Sequence, residues 1–457
     1  MGIGKLENVE RGAKHRGNGN GEGELVEPLN TWARQLLAKQ AEQVEVHRVD
    51  TLRLVLTPEQ EKLLRNAAEA VAKFVEEENR RRRRLLEERG VVDDSWETAW
   101  EMRKTVYLET YEVLGSKNFR EACEVVGEQW KSFKELLKLK ERLKLELRVN
   151  PPSRIKRMVV FVGHDNHRID AQRKVLHLGY WNVEIPFKGE LKWLPQGKQG
   201  RLIIAYDPMK RRWYARVSVE VPLQTSSTPG LKAGVDLGRE ILVAVAVEDG
   251  HALLYRGGPL KSDYYYLEGK IAEIDRALSD PKSEEVDRSV LREKRGWLYS
   301  RMKRRREQTF ANLAAHMARE LENRGVSVVF VGYPRNIAQE KPGKGNSNAW
   351  SYWELITRMS VTLENYGIAL FAVPENGTSK TCARHGCEVV RMPRGLVKCP
   401  CGHVMHADVN AALNILARGA RLLGFTVELP KRLRVLGFVP TPKRIIERKR
   451  KAHNPAV

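Results

Sequence analysis

Four of the chain's five cysteines, Cys382, Cys387, Cys399 and Cys401, lie within the stretch TSKTCARHGC…KCPCGH. Thiols grouped in two pairs along a short ribbon suit a tetrahedral Zn²⁺ site, and in an intracellular chain such grouping argues for metal over disulfides. The Cys399-Pro400-Cys401 spacing is tighter than the roughly two to four intervening residues usual at such sites. It leaves open whether both thiols ligate or whether His385 or His403 takes one position. A structural knuckle is favoured over catalytic zinc, because no open ligand position is evident. The remaining cysteine, Cys123, stands alone in a helical stretch and reads as a small core residue.

Two aspartates carry a second kind of chemistry. Asp236 sits near the middle of the apolar strand AGVDLG, where a carboxylate is costly to bury unless it is paired or binds a cation. The flanking glycines leave room for a large neighbour. Asp408 opens HADVNAALNILARG, where it could serve simply as a helix N-cap. Brought to the same end of one sheet, the two carboxylates could instead hold divalent ions that activate water and stabilise the leaving oxygen in phosphodiester hydrolysis. Asn410 and Asn414 share a side of that helix and could support the site or cap it.

The elements that must position these residues follow from patterning. Residues 44–56 alternate as a half-buried strand, and Thr57-Pro58-Glu59-Gln60 starts a helix with Thr as N-cap and Pro at the first helical position. Helical pattern continues to about Leu147, broken near Gly90 and Gly115, and contains the arginine run 80–84, either a solvated face or a phosphate contact. Short alternating strands return from about Arg157 to Val221 and suggest a small barrel or curled sheet. From Ala233 the order reads βββ-α-β-α-β-α, that of a ribonuclease-H-like fold.

The expectation is therefore a multidomain α+β protein, a small β-barrel with an inserted helical domain followed by a ribonuclease-H-like α/β domain with a zinc-ribbon insertion. The boundaries are a disordered segment 1–24, a barrel from 25–56 and 151–228, and a helical insertion 57–150. The ribonuclease-H-like domain takes 229–378 and 404–424, the ribbon 379–403, and a basic, mostly disordered tail 425–457.

Composition narrows the partners. Lys and Arg total 80 against 58 Asp and Glu, a formal net charge of +22 over 457 residues. Such an excess suits a polyanion, nucleic acid above all. No apolar run approaches the roughly 20 residues of a membrane span, and the N-terminus lacks a signal-peptide core. A soluble, cytoplasmic protein without a membrane partner is expected.

Ala233–Gly238, Arg301–Asn336 and above all TSKTC…RGLVKCPCGHVMHADVNAALNILARG together resemble the TnpB (OrfB) family of transposon-associated RNA-guided nucleases and their compact type V CRISPR relatives. The resemblance covers about residues 42–420. It implies a RuvC-like domain with Asp236 as first acid and Asp408 as last, a guide RNA and target DNA as partners, and Mg²⁺ or Mn²⁺ beside Zn²⁺ as cofactors. The barrel (wedge) and helical insertion would hold the RNA and cradle the RNA–DNA duplex through its backbone.

One departure matters. Family members usually carry a glutamate at the end of the strand that here reads Val331-Gly332-Tyr333-Pro334. Glu340 lies in a Gly/Lys/Asn-rich loop that positions a ligand poorly. Glu375, in AVPENGTSKTC, follows the next strand, and Gly332 would leave space for its longer side chain. Glu375 is thus the expected third metal-binding acid. The alternatives are an inactive RNA-guided DNA-binding protein and an unguided nucleic-acid-binding zinc protein.

Overall fold

A computed structural model describes residues 26–38, 44–142, 149–223, 230–280, 285–333, 351–391 and 395–448. The chain divides into two compact units, Glu45–Pro222 and Met1–Val44 with Leu223–Val457. Two short elements come first, β1 (Glu27–Pro28) and α1 (Thr31–Ala38), and both belong to the second unit.

The Glu45–Pro222 unit is built from β2 (Val44–Leu54), α2 (Pro58–Arg89), α3 (Glu97–Glu101), α4 (Leu108–Arg142) and the strands β3 (Val159–Val162), β4 (His167–Asp170), β5 (Val175–Leu178), β6 (Val183–Lys188), β7 (Lys198–Asp207) and β8 (Arg212–Leu223). The strands form one seven-stranded sheet in the order β3-β7-β8-β2-β6-β5-β4, with the helices inserted between β2 and β3. Thr57 and Gln60 close a capping box at the start of α2, and Gly90 ends the helix in the left-handed conformation. Gly115 breaks the helical conformation inside α4, and a Cβ there would lie 2.3 Å from the ring of Tyr180. Cys123 is fully buried, and burial pushes its thiol well above the usual range.

The arginine run is partly internal. Arg82 is fully buried and its Nε meets Glu78 at 2.6 Å, while its Nη atoms donate to the carbonyls of Asp93 and Ser95. Arg81 bridges Glu78 and Asp93. A buried guanidinium survives only when paired in this way. These two arginines therefore tie α2 to the loop that follows it, Arg82 from a fully buried position and Arg81 from a half-buried one.

The second unit continues through β9 (Leu231–Leu237), β10 (Ile241–Val247), β11 (His251–Arg256), α5 (Gly258–Ser279), α6 (Glu285–Glu322), β12 (Val326–Tyr333), α7 (Tyr352–Glu364), β13 (Ala369–Pro374), β14 (Leu396–Lys398), β15 (Val404–His406), α8 (Ala407–Leu422), β16 (Arg434–Pro440) and β17 (Ile445–Arg448). Its eight-stranded sheet runs β1-β13-β12-β9-β10-β11-β16-β17. Alternation sorts the residues of β9 between two layers. Val235 and Leu237 pack with Phe310, Leu313 and Met317 of α6, while Gly234 faces α8.

Two expected boundaries differ from the observed ones. Residues 26–38 join this sheet and not the barrel. β1 pairs with β13, Asn30 donates to the Ile368 carbonyl, and the Trp32 indole donates to that of Glu364. The basic tail is structured through residue 448. β16 lies parallel to β11, and Phe438 is buried in a stack on Tyr255. The apolar residues of that tail cover what would otherwise be an open sheet edge, which outweighs the charge between them. The expectations for residues 1–24 and for Glu340 fall outside the described residues.

Candidate active site and metal centre

α8 is pressed flat on the sheet by two glycines. A Cβ on Gly234 would come within 2.1 Å of the Ala412 carbonyl oxygen, and one on Gly419 within 2.3 Å of the Phe330 ring. Asp236 shares the face of Gly234, two residues along β9, and therefore points toward this helix. Its cross-strand partner is Ala244.

The parallel register of β12 on β9 pairs Val331 with Val235, so Gly332 follows beside Asp236. Gly332 in turn pairs with Val373 of β13, and Glu375 emerges two residues later, just past the end of that strand. Its side chain lies over Gly332. A Cβ built on the glycine would be 3.3 Å from Glu375 Oε2, and 2.7 Å from Ile415 Cδ1 of α8.

Asp408 sits in the first turn of α8, but it is not the cap. His406 is the N-cap, its Nδ1 accepting from the Asp408 backbone N–H at 3.3 Å. The Asp408 carboxylate is thereby left free for another role, with Oδ2 3.8 Å from that same imidazole nitrogen.

Asp236, Glu375 and Asp408 thus converge, and their titration reflects it. Burial, then the neighbouring Asp408 and Glu375 carboxylates, push the Asp236 carboxyl up to about 7, and Arg391 offsets only part of this. Burial raises Glu375 as well. It also raises Asp408, against the opposing pull of His406 and Arg391. Among the described residues no donor hydrogen-bonds to the Asp236 or Glu375 carboxylate. Clustered, partly buried carboxylates without donors are an unfavourable arrangement that a hard divalent cation would relieve. The donor set fits Mg²⁺ or Mn²⁺.

The ribbon leads straight into this site. β14 and β15 pair antiparallel, and β15 ends at His406, immediately before α8 begins. The donor atoms of Cys382, His385, Cys387 and Cys399 all lie within 4.8 Å of one another. Cys382 Sγ is 3.7 Å from His385 Nδ1, which is 3.3 Å from Cys399 Sγ. Zn–S bonds of about 2.3 Å place tetrahedral thiolates about 3.8 Å apart, so the group fits zinc. Cys401 is exposed, with its thiol in reach of Cys387, and His403 Nδ1 lies 3.6 Å from Cys382 Sγ. The structure thus gathers Cys382, Cys387 and Cys399 of the expected set, with His385 among the four convergent donors and Cys401 beside them.

Asn410 and Asn414 bind the ribbon's base to α8. The fully buried Asn410 amide accepts from the Ala383 N–H at 2.9 Å and donates to the Thr381 carbonyl at 2.8 Å. Asn414 donates to the carbonyls of Thr378 and Thr381. Sequence reasoning missed Arg391, His406 and Arg418. The spacing of Asn410, Asn414 and Arg418, four residues apart along one side of the helix, was the signal for the last of these.

Known proteins match both the sheet and the ribbon. Residues 214–338 match the OrfB_IS605 family, described as a probable transposase, and residues 352–415 the Cas12f1-like TNB domain. A relative described as TnpB-like protein ORF457, from Acidianus two-tailed virus, is 35% identical over 419 residues, covering 84% of this chain and 89% of its own. Among solved structures, a Cas12f1–sgRNA–target DNA complex aligns with a TM-score of 0.50 at 14% identity, covering 81% of this chain and 98% of that one. The mini-RNA-guided endonuclease CRISPR-Cas_phi3 aligns at 0.47 and 12% identity, over 87% and 95%.

Proposed function

The chain belongs to the TnpB-like family, and from that premise we propose that it is an RNA-guided DNA endonuclease of transposon origin. In this reading the Leu231–Leu422 region is a ribonuclease-H-like, RuvC-type nuclease domain carrying a zinc ribbon. The observation that carries the proposal is the meeting of Asp236, Glu375 and Asp408 at one sheet end, with Glu375 lying over Gly332, all three carboxyls raised, and no hydrogen-bond donor on Asp236 or Glu375 among the described residues.

Asp236, Glu375 and Asp408 would hold divalent metal at this sheet end. When bound, the metal supplies an activated water and charge neutralisation for the departing oxygen. Asp236 would supply a ligand from a strand that is packed closely against α8 at Gly234. Glu375 supplies from the neighbouring strand end the carboxylate that β12 lacks. The net charge of +22 suits RNA and DNA phosphates, bound without sequence readout, while base pairing with the guide selects the target.

The test is to sequence RNA that copurifies with the protein and to offer the complex a plasmid carrying a matched target, with Mg²⁺ or Mn²⁺. Cutting is expected, lost in Asp236→Ala, Asp408→Ala, Glu375→Ala and Glu375→Gln by more than the roughly 100-fold that outer-shell changes cost. Guided binding without cutting under either metal makes the protein a DNA-binding repressor. Absence of a defined RNA leaves an unguided nucleic-acid-binding protein.

A further inference from the structure

An acid carried within a strand is oriented by the sheet's hydrogen-bond ladder. Glu375 has no such support, because β13 ends at Pro374. The residues around it are fixed from elsewhere. Arg418 of α8 donates from Nη1 to the Pro374 carbonyl at 2.6 Å and from Nη2 to the Asn376 carbonyl at 2.8 Å, the two carbonyls that flank Glu375. The carbonyl of Glu375 itself accepts from the Thr378 N–H at 3.1 Å and the Thr378 hydroxyl at 2.8 Å. Asn414, one turn before Arg418, then takes the Thr378 carbonyl at 2.7 Å. Next to Arg418, Gly419 locks α8 onto the Phe330 ring, so the guanidinium projects from a fixed origin.

We propose that Arg418 is a positioning residue for the third acid, bracketing Glu375 so that its carboxylate stays over Gly332 beside Asp236. This deepens the nuclease reading and rests on it. A planar guanidinium with two parallel N–H groups fixes both the position and the tilt of the peptide pair it grips, which a single ammonium cannot do. One helix then references all three acids. It carries Asp408 in its first turn, covers the strand that bears Asp236, and holds Glu375 through Arg418. An acid moved off its strand needs such a clamp, whereas one at position 332 would not.

The experiment measures Mn²⁺ binding to the full-length protein by calorimetry, with zinc content, Tm and cleavage followed in parallel. Arg418→Ala is expected to weaken Mn²⁺ binding about 10- to 100-fold, and to raise the Mn²⁺ concentration for half-maximal cleavage. Zinc content and guided target binding should stay as in the unmodified protein. Arg418→Lys, which keeps the charge and one donor group, should fall between the two, and it serves as the reporter should Arg418→Ala fail to fold. In a Glu375→Ala background, Arg418→Ala should weaken Mn²⁺ binding no further. An equal loss in both backgrounds, or native Mn²⁺ affinity in Arg418→Ala, would overturn the proposal. So would an unmodified protein that binds no Mn²⁺. If the unmodified protein binds Mn²⁺ and its affinity falls as expected but no DNA is cut, the nuclease reading fails while the clamp stands.

Discussion

A Cβ added to Gly332 would sit 3.3 Å from Oε2 and 3.4 Å from Cβ of Glu375, so the space a side chain would fill on β12 is taken by an acid from the end of β13. The same Cβ would also meet Ile415 Cδ1 at 2.7 Å. Gly332→Ala should therefore overpack the site, costing about 1–3 kcal/mol in denaturant unfolding and displacing the carboxylate. In a Glu375→Ala protein, Gly332→Glu should restore little cleavage by itself, because Ile415 still obstructs it. Adding Ile415→Val, which removes Cδ1, should restore more. Full rescue by Gly332→Glu alone would show that Ile415 yields freely.

The ribbon is expected to bind one zinc per chain, with Cys382, His385, Cys387 and Cys399 as ligands. Elemental analysis should find zinc lost in Cys382→Ser, Cys399→Ser and His385→Ala but retained in Cys401→Ser. Loss in Cys401→Ser with retention in His385→Ala would restore the four-cysteine set. Removing zinc with a chelator should also reduce Mn²⁺ binding, because the ribbon runs directly into the helix that bears Asp408.

Truncation should separate the two parts of the basic C-terminal segment. Deleting residues 449–457 removes charge and should weaken nucleic-acid affinity modestly, with a shallower salt dependence. Deleting residues 431–457 also removes β16 and β17 from the sheet and should lower Tm. Phe438→Ala alone should cost roughly 3–5 kcal/mol, the range for a large buried aromatic, because Phe438 is buried against Tyr255 and His316. An unchanged Tm for Phe438→Ala would mean that β16 does not hold the sheet edge.

His167 should make the Glu45–Pro222 unit sensitive to acid. Burial lowers its pKa, its Nδ1 lies 2.8 Å from the Gly163 carbonyl, and its Nε2 has no hydrogen-bond partner among the described residues. The unfolded chain then binds a proton near pH 6.5, where the folded one does not. Stability is present above that pH and is lost as pH falls toward the lowered folded value, by at most about 1.4 kcal/mol per pH unit. Urea unfolding at pH 7.5 and 5.5 should show a smaller difference in His167→Leu than in the unmodified protein. Equal differences in the two proteins would remove His167 as the cause.

The sequence by itself determined the order of elements, because each is set by short-range pattern. The alternation in residues 44–56, the Thr57–Gln60 helix start, and the three strands before two long charged helices are all legible locally. It also marked Asp236, Asp408 and the cysteine cluster, whose residue types are costly in those settings without a job. It misjudged the tail and residues 26–38, because what Phe438 and Trp32 gain by burial depends on a sheet edge and a helix far away in the chain. Tertiary structure alone decided the third acid's surroundings. Gly332 and Glu375 are brought together by parallel pairing of β12 with β13, and Arg418 reaches the loop only because Gly419 lets α8 lie on Phe330. Such contacts join residues more than forty positions apart, and no local pattern in the chain encodes the register that makes them meet.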